Sequence, residues 1–132
     1  MAAWRRRAVE LFPELRDELQ ERDFTIYMLY FELLPMVREA HDRDDGESLL
    51  RIYGFAEWCM HQTAKDLWNS AGVCFYEHLF DIPKYRSKVV AWMSPFVIEQ
   101  CMGLWEFRLS PAELEKVNEL IANRSEHRYR DL

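Results

Sequence analysis

A chain of 132 residues, 49% apolar and 14% aromatic, is long enough to bury a core of its own and is not intrinsically disordered. Its 17 basic and 23 acidic side chains leave a net charge of −6, which gives a phosphate backbone no basic face and excludes nucleic acid as an expected partner. No run approaches the roughly 18 apolar residues of a membrane span, so no membrane partner is expected either.

Three cysteines, Cys59, Cys74 and Cys101, are an odd number and sit in apolar stretches, as reduced core thiols of a cytoplasmic protein would. Arg5-Arg6-Arg7 runs into Ala8-Val9-Glu10 rather than an apolar segment, so no secretion signal is expected.

Strand-like alternation is absent and a 3.6-residue period dominates, which predicts an all-α fold. Residues 2–20 form a helix with Val9, Leu11/Phe12, Leu15 and Leu19 on one side, split by Pro13. Asp23 is the expected N-cap of a helix to about residue 41, with Phe24, Tyr27/Met28, Phe31, Leu34 and Val37 as its core stripe. Pro35 should kink or divide that helix. The tract from His41 to Glu47 is a polar loop. A helix to about His61 follows, with Leu49, Ile52/Tyr53, Ala56 and Cys59/Met60 as core line and Arg51, Phe55 and Trp58 opposite. The tight link Gln62-Thr63 makes it an antiparallel hairpin with the next helix.

That next helix, residues 64–80, is the expected central post. Leu67, Ala71, Cys74 and His78 form one line, widened by Trp68, Phe75 and Leu79, and a helix so apolar should be buried on several sides. His78 on this line is expected to be buried and neutral. Asp81-Ile82-Pro83 ends the post, and Tyr85 to Trp92 is a brief helix. Ser94-Pro95 opens a helix carrying Phe96, Val97/Ile98, Cys101 and Leu104/Trp105. Ser110-Pro111-Ala112-Glu113 is a capping box starting a last helix with Leu114, Val117 and Leu120/Ile121. One helical domain spans 1–132, its core at 11–123 and a polar tail at 124–132 that should fray. The spacing predicts about six to eight helices in stacked antiparallel hairpins of the HEAT or armadillo kind, an α-α superhelix, with a globular bundle as the competing arrangement.

Leu49-Leu50-Arg51-Ile52-Tyr53-Gly54-Phe55-Ala56-Glu57-Trp58 and Asn69-Ser70-Ala71-Gly72-Val73-Cys74-Phe75-Tyr76-Glu77-His78-Leu79 carry a resemblance. They resemble a family of small, uncharacterised all-helical bacterial proteins that look like truncated HEAT-type domains, some suspected of toxin-immunity roles. Phe12-Pro13-Glu14-Leu15 and Leu33-Leu34-Pro35 look like the same family's first half. The resemblance covers roughly residues 11–106 and implies a fold, with no catalytic residue to carry over.

The chemistries that would need assembled side chains fail on spacing. A calcium loop counted from Asp42 should have Gly at position 6 and Glu at 12, but Gly46 falls at 5 and Tyr53 at 12. The loop is then a solvated connection with Asp45 or Ser48 capping the next helix. Di-iron ligation requires Glu-x-x-His, and none of Glu32, Glu57, Glu77, Glu99 or Glu106 has His three residues on. Zinc would need Cys74 and His78 to meet Cys59 and His61, yet the pairs lie about 20 Å apart along antiparallel helices. His41 and His78 with loop aspartates are the remaining metal candidates, against a hydrogen-bonded core His78. There is no Gly-x-Ser-x-Gly and no phosphate-cradling loop. No cofactor is expected.

What is left is aromatic. Trp58, with Phe55 and Arg51, is either covered by another helix of the stack or forms an aromatic-plus-arginine contact patch of the kind binding hot spots use. Joined to the acidic loop, the expected protein-contact residues are Arg51, Phe55, Trp58, Asp42, Asp44 and Asp45. The expected function is a non-enzymatic protein-binding module of immunity-like or adaptor type with a basic protein partner. Homo-oligomerisation stays open. The alternative is a small-molecule or metal-binding protein or enzyme with a pocket near His78, His41 and Tyr76.

Overall fold

Small polar side chains start the four longest helices among the described residues, each by accepting an orphan backbone N–H. The computed structural model describes residues 1–124, which form eight α-helices and four short 3₁₀ turns, with no strand among the described residues. Helix α1 (Ala3–Leu11) gives way at Pro13 to a 3₁₀ turn and then α2 (Arg16–Gln20), as the proline predicts. Helix α3 (Ile26–Asp42) is capped by Thr25, whose Oγ1 accepts the Met28 N–H at 3.2 Å. Asp23 is not the cap: it lies within a turn in which the Phe24 N–H bonds the Glu21 carbonyl. Asp45 caps α4 (Gly46–Met60), and Ser94 caps α7 (Pro95–Arg108). Ser110 and Glu113 form the expected reciprocal box at the start of α8 (Pro111–Asn123), each bond 3.2 Å. Between them lie α5 (Lys65–Cys74) and α6 (Arg86–Val89), the latter flanked by 3₁₀ turns at Pro83–Tyr85 and Val90–Trp92.

Three expectations are corrected here. The first concerns α3, which buries Ile26, Leu29, Tyr30, Leu33, Val37, Ala40 and His41, while Phe31 is 71% exposed. The expected stripe and the buried one are neighbouring apolar lines on one helix, and packing against α4 and α5 chooses between them. His41 therefore belongs to the core side of α3 rather than to a polar loop. Pro35 does not divide the helix. Its missing N–H would have bonded the carbonyl of Phe31, and both residues lie on the exposed face, open to solvent.

The second concerns the central post. Helix α4, not α5, is the most enclosed: Ile52 through Glu57 are six consecutive buried residues. Helix α1 packs on one side of α4, while α3 and α5 pack on the other. Phe55 is fully buried, its ring 5.7 Å from Phe12 in an edge-to-face contact.

The third concerns the length of α5, which stops at Cys74 as Phe75 leaves the helical region at φ −124°, ψ −74°. Phe75, Tyr76, Leu79 and Phe80 are all buried. A continued α-helix sends residues 75 and 76 about 100° apart, so breaking it is how both pairs turn inward. The break frees carbonyls that need donors. Trp105 Nε1 serves Tyr76 at 2.9 Å, Arg38 serves His78 at 3.2 Å and Arg86 Nε serves Phe80 at 2.8 Å.

The N-terminal arginines work the same way. Arg5 donates to the carbonyls of Leu19, Glu21, Arg22 and Phe24, closing the end of α2. Arg7 lies over the Trp58 ring at 4.9 Å. Ala8 is fully buried, so the packed region begins before residue 11. At the other end Arg124 donates to the Val90 and Met93 carbonyls, and the rest of the expected tail lies outside the described residues.

Candidate functional site

The aromatic-plus-arginine patch does not reach the surface as one face. Phe55 is core, Trp58 is half-buried beneath Arg7, and Arg51 is paired with Glu47 at 2.9 Å one turn earlier. Helix α1 covers this side of α4, the stacked-helix alternative. The loop aspartates are occupied in holding the chain together. Asp42 accepts the Tyr85 hydroxyl at 2.9 Å, Asp44 lies 3.6 Å from the Lys88 ammonium, and Asp45 takes the Ser48 N–H and hydroxyl. Asp44 adopts φ 50°, the tight turn that brings α4 back along α3.

The residues of the alternative pocket separate. His41 Nε2 meets the Tyr53 hydroxyl at 2.7 Å in the core, and Trp92 stacks on Tyr53 at 5.6 Å. His78 is not buried: its ring is part-exposed, with Nδ1 3.0 Å from Asp81 and Nε2 3.7 Å from Glu77. Tyr76 is enclosed, and burial pushes its hydroxyl well above the ordinary phenol value. Among the described residues no three His, Cys, Asp or Glu side chains converge as a metal site would require.

One polar cluster was not anticipated from sequence. Glu57 is 3% exposed and accepts the Ser94 hydroxyl at 2.7 Å, while its other oxygen is 2.8 Å from His61 Nε2. The His61 ring stacks on Phe96 at 4.1 Å. The legible signals were the one-turn spacing of Glu57 and His61 and the N-cap position of Ser94. The wiring does not activate a nucleophile: the serine proton points at a carboxylate instead of an imidazole, and the same oxygen accepts the Val97 N–H at 3.2 Å. The cluster ties the end of α4 to the start of α7. The thiols are not activated either. Burial pushes Cys59 and Cys101 up to about 12, and burial followed by Glu77 raises Cys74.

A second charged cluster joins the region after α5 to the last two helices. Arg108 grips Asp81 with two bonds of 2.6 and 2.9 Å, and Arg86, largely buried, donates to Glu113 at 2.8 Å. Burial pulls the Asp81 carboxyl upward, but Arg108 and His78 outweigh it and leave it below its usual value. The Arg86 hydrogen bond, with help from the Ser110 backbone, holds Glu113 down to about 2. These guanidinium groups already have their acids.

The surface is where large apolar side chains are left without such assignments. On α3, Met28 and Phe31 are exposed. Between α5 and α7 a groove of about 360 Å³ is lined by Met60, Trp68, Gly72, Val73 and Leu104, with Asn69 and Gln100 at its polar margins. Trp68 is 41% exposed, contrary to its expected core position, and Phe107, beyond the groove on α7, is 92% exposed. Gly72 lies on the groove's floor, where an added Cβ would meet only Leu104 Cδ1, at an ordinary contact distance of 3.4 Å. No helix among the described residues is long and apolar enough to cross a membrane.

No curated protein and no solved structure matches the chain. Residues 5–106 match a family described as "Domain of unknown function (DUF7674)", a match that starts at the arginine closing α2 and ends inside α7. Running through the enclosed α4, the broken end of α5 and both walls of the groove, it makes this chain a member of the DUF7674 family.

Proposed function

We propose that this protein is a non-enzymatic protein-binding module, of adaptor or immunity-like type, that works in a bacterial cytoplasm. The observation that carries the reading is the division of labour between polar and apolar side chains. Serine, histidine, thiol and buried carboxylate groups are committed to internal bonds or masked by burial. Large apolar side chains, Phe31, Trp68 and Phe107 among them, face outward. Such surface marks contact with another macromolecule more often than a reaction site. Helices α3, α4 and α5 pack as successive neighbours, with α1 on α4 and α3 on α5, which suits a short HEAT-like stack. Three free cysteines suit a reducing compartment.

The test is capture followed by function. A photo-crosslinking amino acid placed at Phe31 or Phe107 should trap one protein in stoichiometric yield from the host cell. The purified partner should bind with a Kd in the micromolar range or below. If that partner is toxic when expressed alone, co-expression of this chain should restore growth. Turnover of a small substrate by the purified protein, with no partner trapped at either position, would sink the reading.

A further inference from the structure

We propose that a second pocket, where the first turns of α3 and α5 meet the start of α1, binds a methylated ammonium group, a site separate from the groove and independent of the binding reading above. The pocket holds about 390 Å³, and Trp4, Ile26, Tyr27, Asp66 and Leu67 are among its lining residues. That volume lies in the range of small-ligand sites. Trp4 and Tyr27 are half-buried and packed against the core, so each ring is held in place and still reaches the pocket. The Tyr27 hydroxyl also accepts an Asn69 side-chain N–H at 3.1 Å, which ties its ring to α5. Indole and phenol faces attract cations, the indole most strongly. The Trp4 ring already makes one such contact, with the Arg5 guanidinium 4.7 Å from its centre. Arg5 covers one face of that ring, does not line the pocket, and is held by the carbonyls of Leu19, Glu21, Arg22 and Phe24.

Charge selects the sign of the ligand. Of the residues that line this pocket, Asp66 alone carries a formal charge at neutral pH. It stands in the first turn of α5, a helix that Ala64 leaves without a side-chain cap, yet its carboxylate accepts no N–H and meets no cation among the described residues. Asp81 and Glu113, by contrast, are each answered by an arginine of the same chain. Lys65 precedes Asp66, but successive residues of a helix point about 100° apart, and Lys65 does not line the pocket. One carboxylate with no partner, beside two aromatic rings and the apolar Ile26 and Leu67, offers an alkylated ammonium opposite charge, π faces for its methyl groups and a wall for its carbon stem. A primary ammonium brings three N–H donors that need acceptors. The Thr25 and Tyr27 hydroxyls of the lining already accept bonds from Met28 and Asn69, so a head group with its donors replaced by methyls is served better.

The probes are choline and neohexyl alcohol, its uncharged carbon isostere, titrated into the isotope-labelled protein at constant ionic strength and followed by backbone amide shifts. Choline should move the amides of Ile26, Tyr27 and Leu67 and should bind about fivefold or more tightly than the isostere, the step that one cation–π contact supplies. Asp66→Asn, at an exposed position, should weaken choline by about fivefold or more and leave the isostere where it was. Trp4→Leu should lower choline affinity by a similar factor, its folding checked by circular dichroism, and if it does not fold the aspartate variant decides. A peptide carrying trimethyllysine separates the two sources of the group. Tighter binding of the peptide than of choline assigns the pocket to a modified protein, and equal or weaker binding assigns it to a free small molecule. The proposal is overturned if choline moves no amide around the pocket, or if the isostere binds as well as choline, which leaves an apolar recess only. It is overturned too if Asp66→Asn binds choline as the natural protein does.

Discussion

Helices α4 and α7 are 15 and 14 residues long and are apolar on more than one side, yet they end in different surroundings. Around α4 the chain supplies cover from α1, α3 and α5, with Phe12 at the end of α1 and Tyr30 of α3 both against Phe55. Around α7 it buries Val97, Cys101 and Trp105 and partly covers Ile98, Met102 and Leu104, while Phe107 is left almost wholly in water. An apolar helix needs more than one neighbour. The contrast teaches that apolar residues on several sides of a helix do not say how many of those sides the chain itself will cover.

The sharpest way to break the comparison is to remove a ring from the enclosed helix. Phe55→Ala should cost about 3–5 kcal/mol in urea unfolding, the range for deleting a buried aromatic side chain. A loss under about 1 kcal/mol would mean that α1 does not press on α4 as described.

Smaller, because polar, is the link between the two helices themselves. Glu57→Ala leaves the Ser94 hydroxyl buried without its acceptor and should cost about 1–3 kcal/mol. A thermal midpoint equal to that of the natural protein would show that the α4–α7 tie is ornamental.

The acid limb of stability tests the charged cluster. The folded Glu113 carboxyl sits at about 2 against an ordinary 4.5, so its contribution is present above 4.5 and is lost as pH falls from there towards 2. The lowered Asp81 acts in the same sense. Glu113→Gln should therefore flatten the stability profile across that window and leave its shape above pH 6 unchanged. An undiminished slope would assign the acid sensitivity to other carboxylates.

The smallest effect is expected where the chain leaves its own helix uncovered. Phe107→Ser should change stability by no more than about 0.5 kcal/mol, the level of an ordinary surface substitution. A penalty of 2 kcal/mol would mean that Phe107 is covered in solution, and the contrast with α4 would collapse.

How much of this was legible follows from what is local. The Pro13 break, the Ser110–Glu113 box, the Ser94 cap and the α4 core line were readable because caps and single apolar stripes are written within a few residues. The stripe of α3 was not, since Phe31 and Tyr30 head adjacent apolar lines and only the neighbours α4 and α5 decide which turns inward. The early end of α5 was hidden for a related reason. Residues 75–80 look helical, but four large side chains there need burial in directions that one helix cannot offer. The aromatic-plus-arginine patch was half read: Trp58 and Phe55 do leave the α4 core line, and a covering helix had been the alternative to a surface. Glu57 meeting Ser94 spans 37 residues, a distance that no spacing rule reaches. The groove was missed because its walls come from two helices, Trp68 to Val73 on one and Gln100 to Leu104 on the other.

Arg86 has a consequence for ancestry. Its guanidinium is largely buried, and the carboxylate that answers it, Glu113, lies seven residues beyond the end of the family match at 106. A relative that finished at that boundary would lose the guanidinium's charge partner together with part of its cover, leaving the Phe80 carbonyl to hold it. Arginine at this position and an acid-bearing eighth helix should therefore be inherited as a pair. Shorter cousins should have exchanged the arginine for a neutral side chain or found an acid elsewhere.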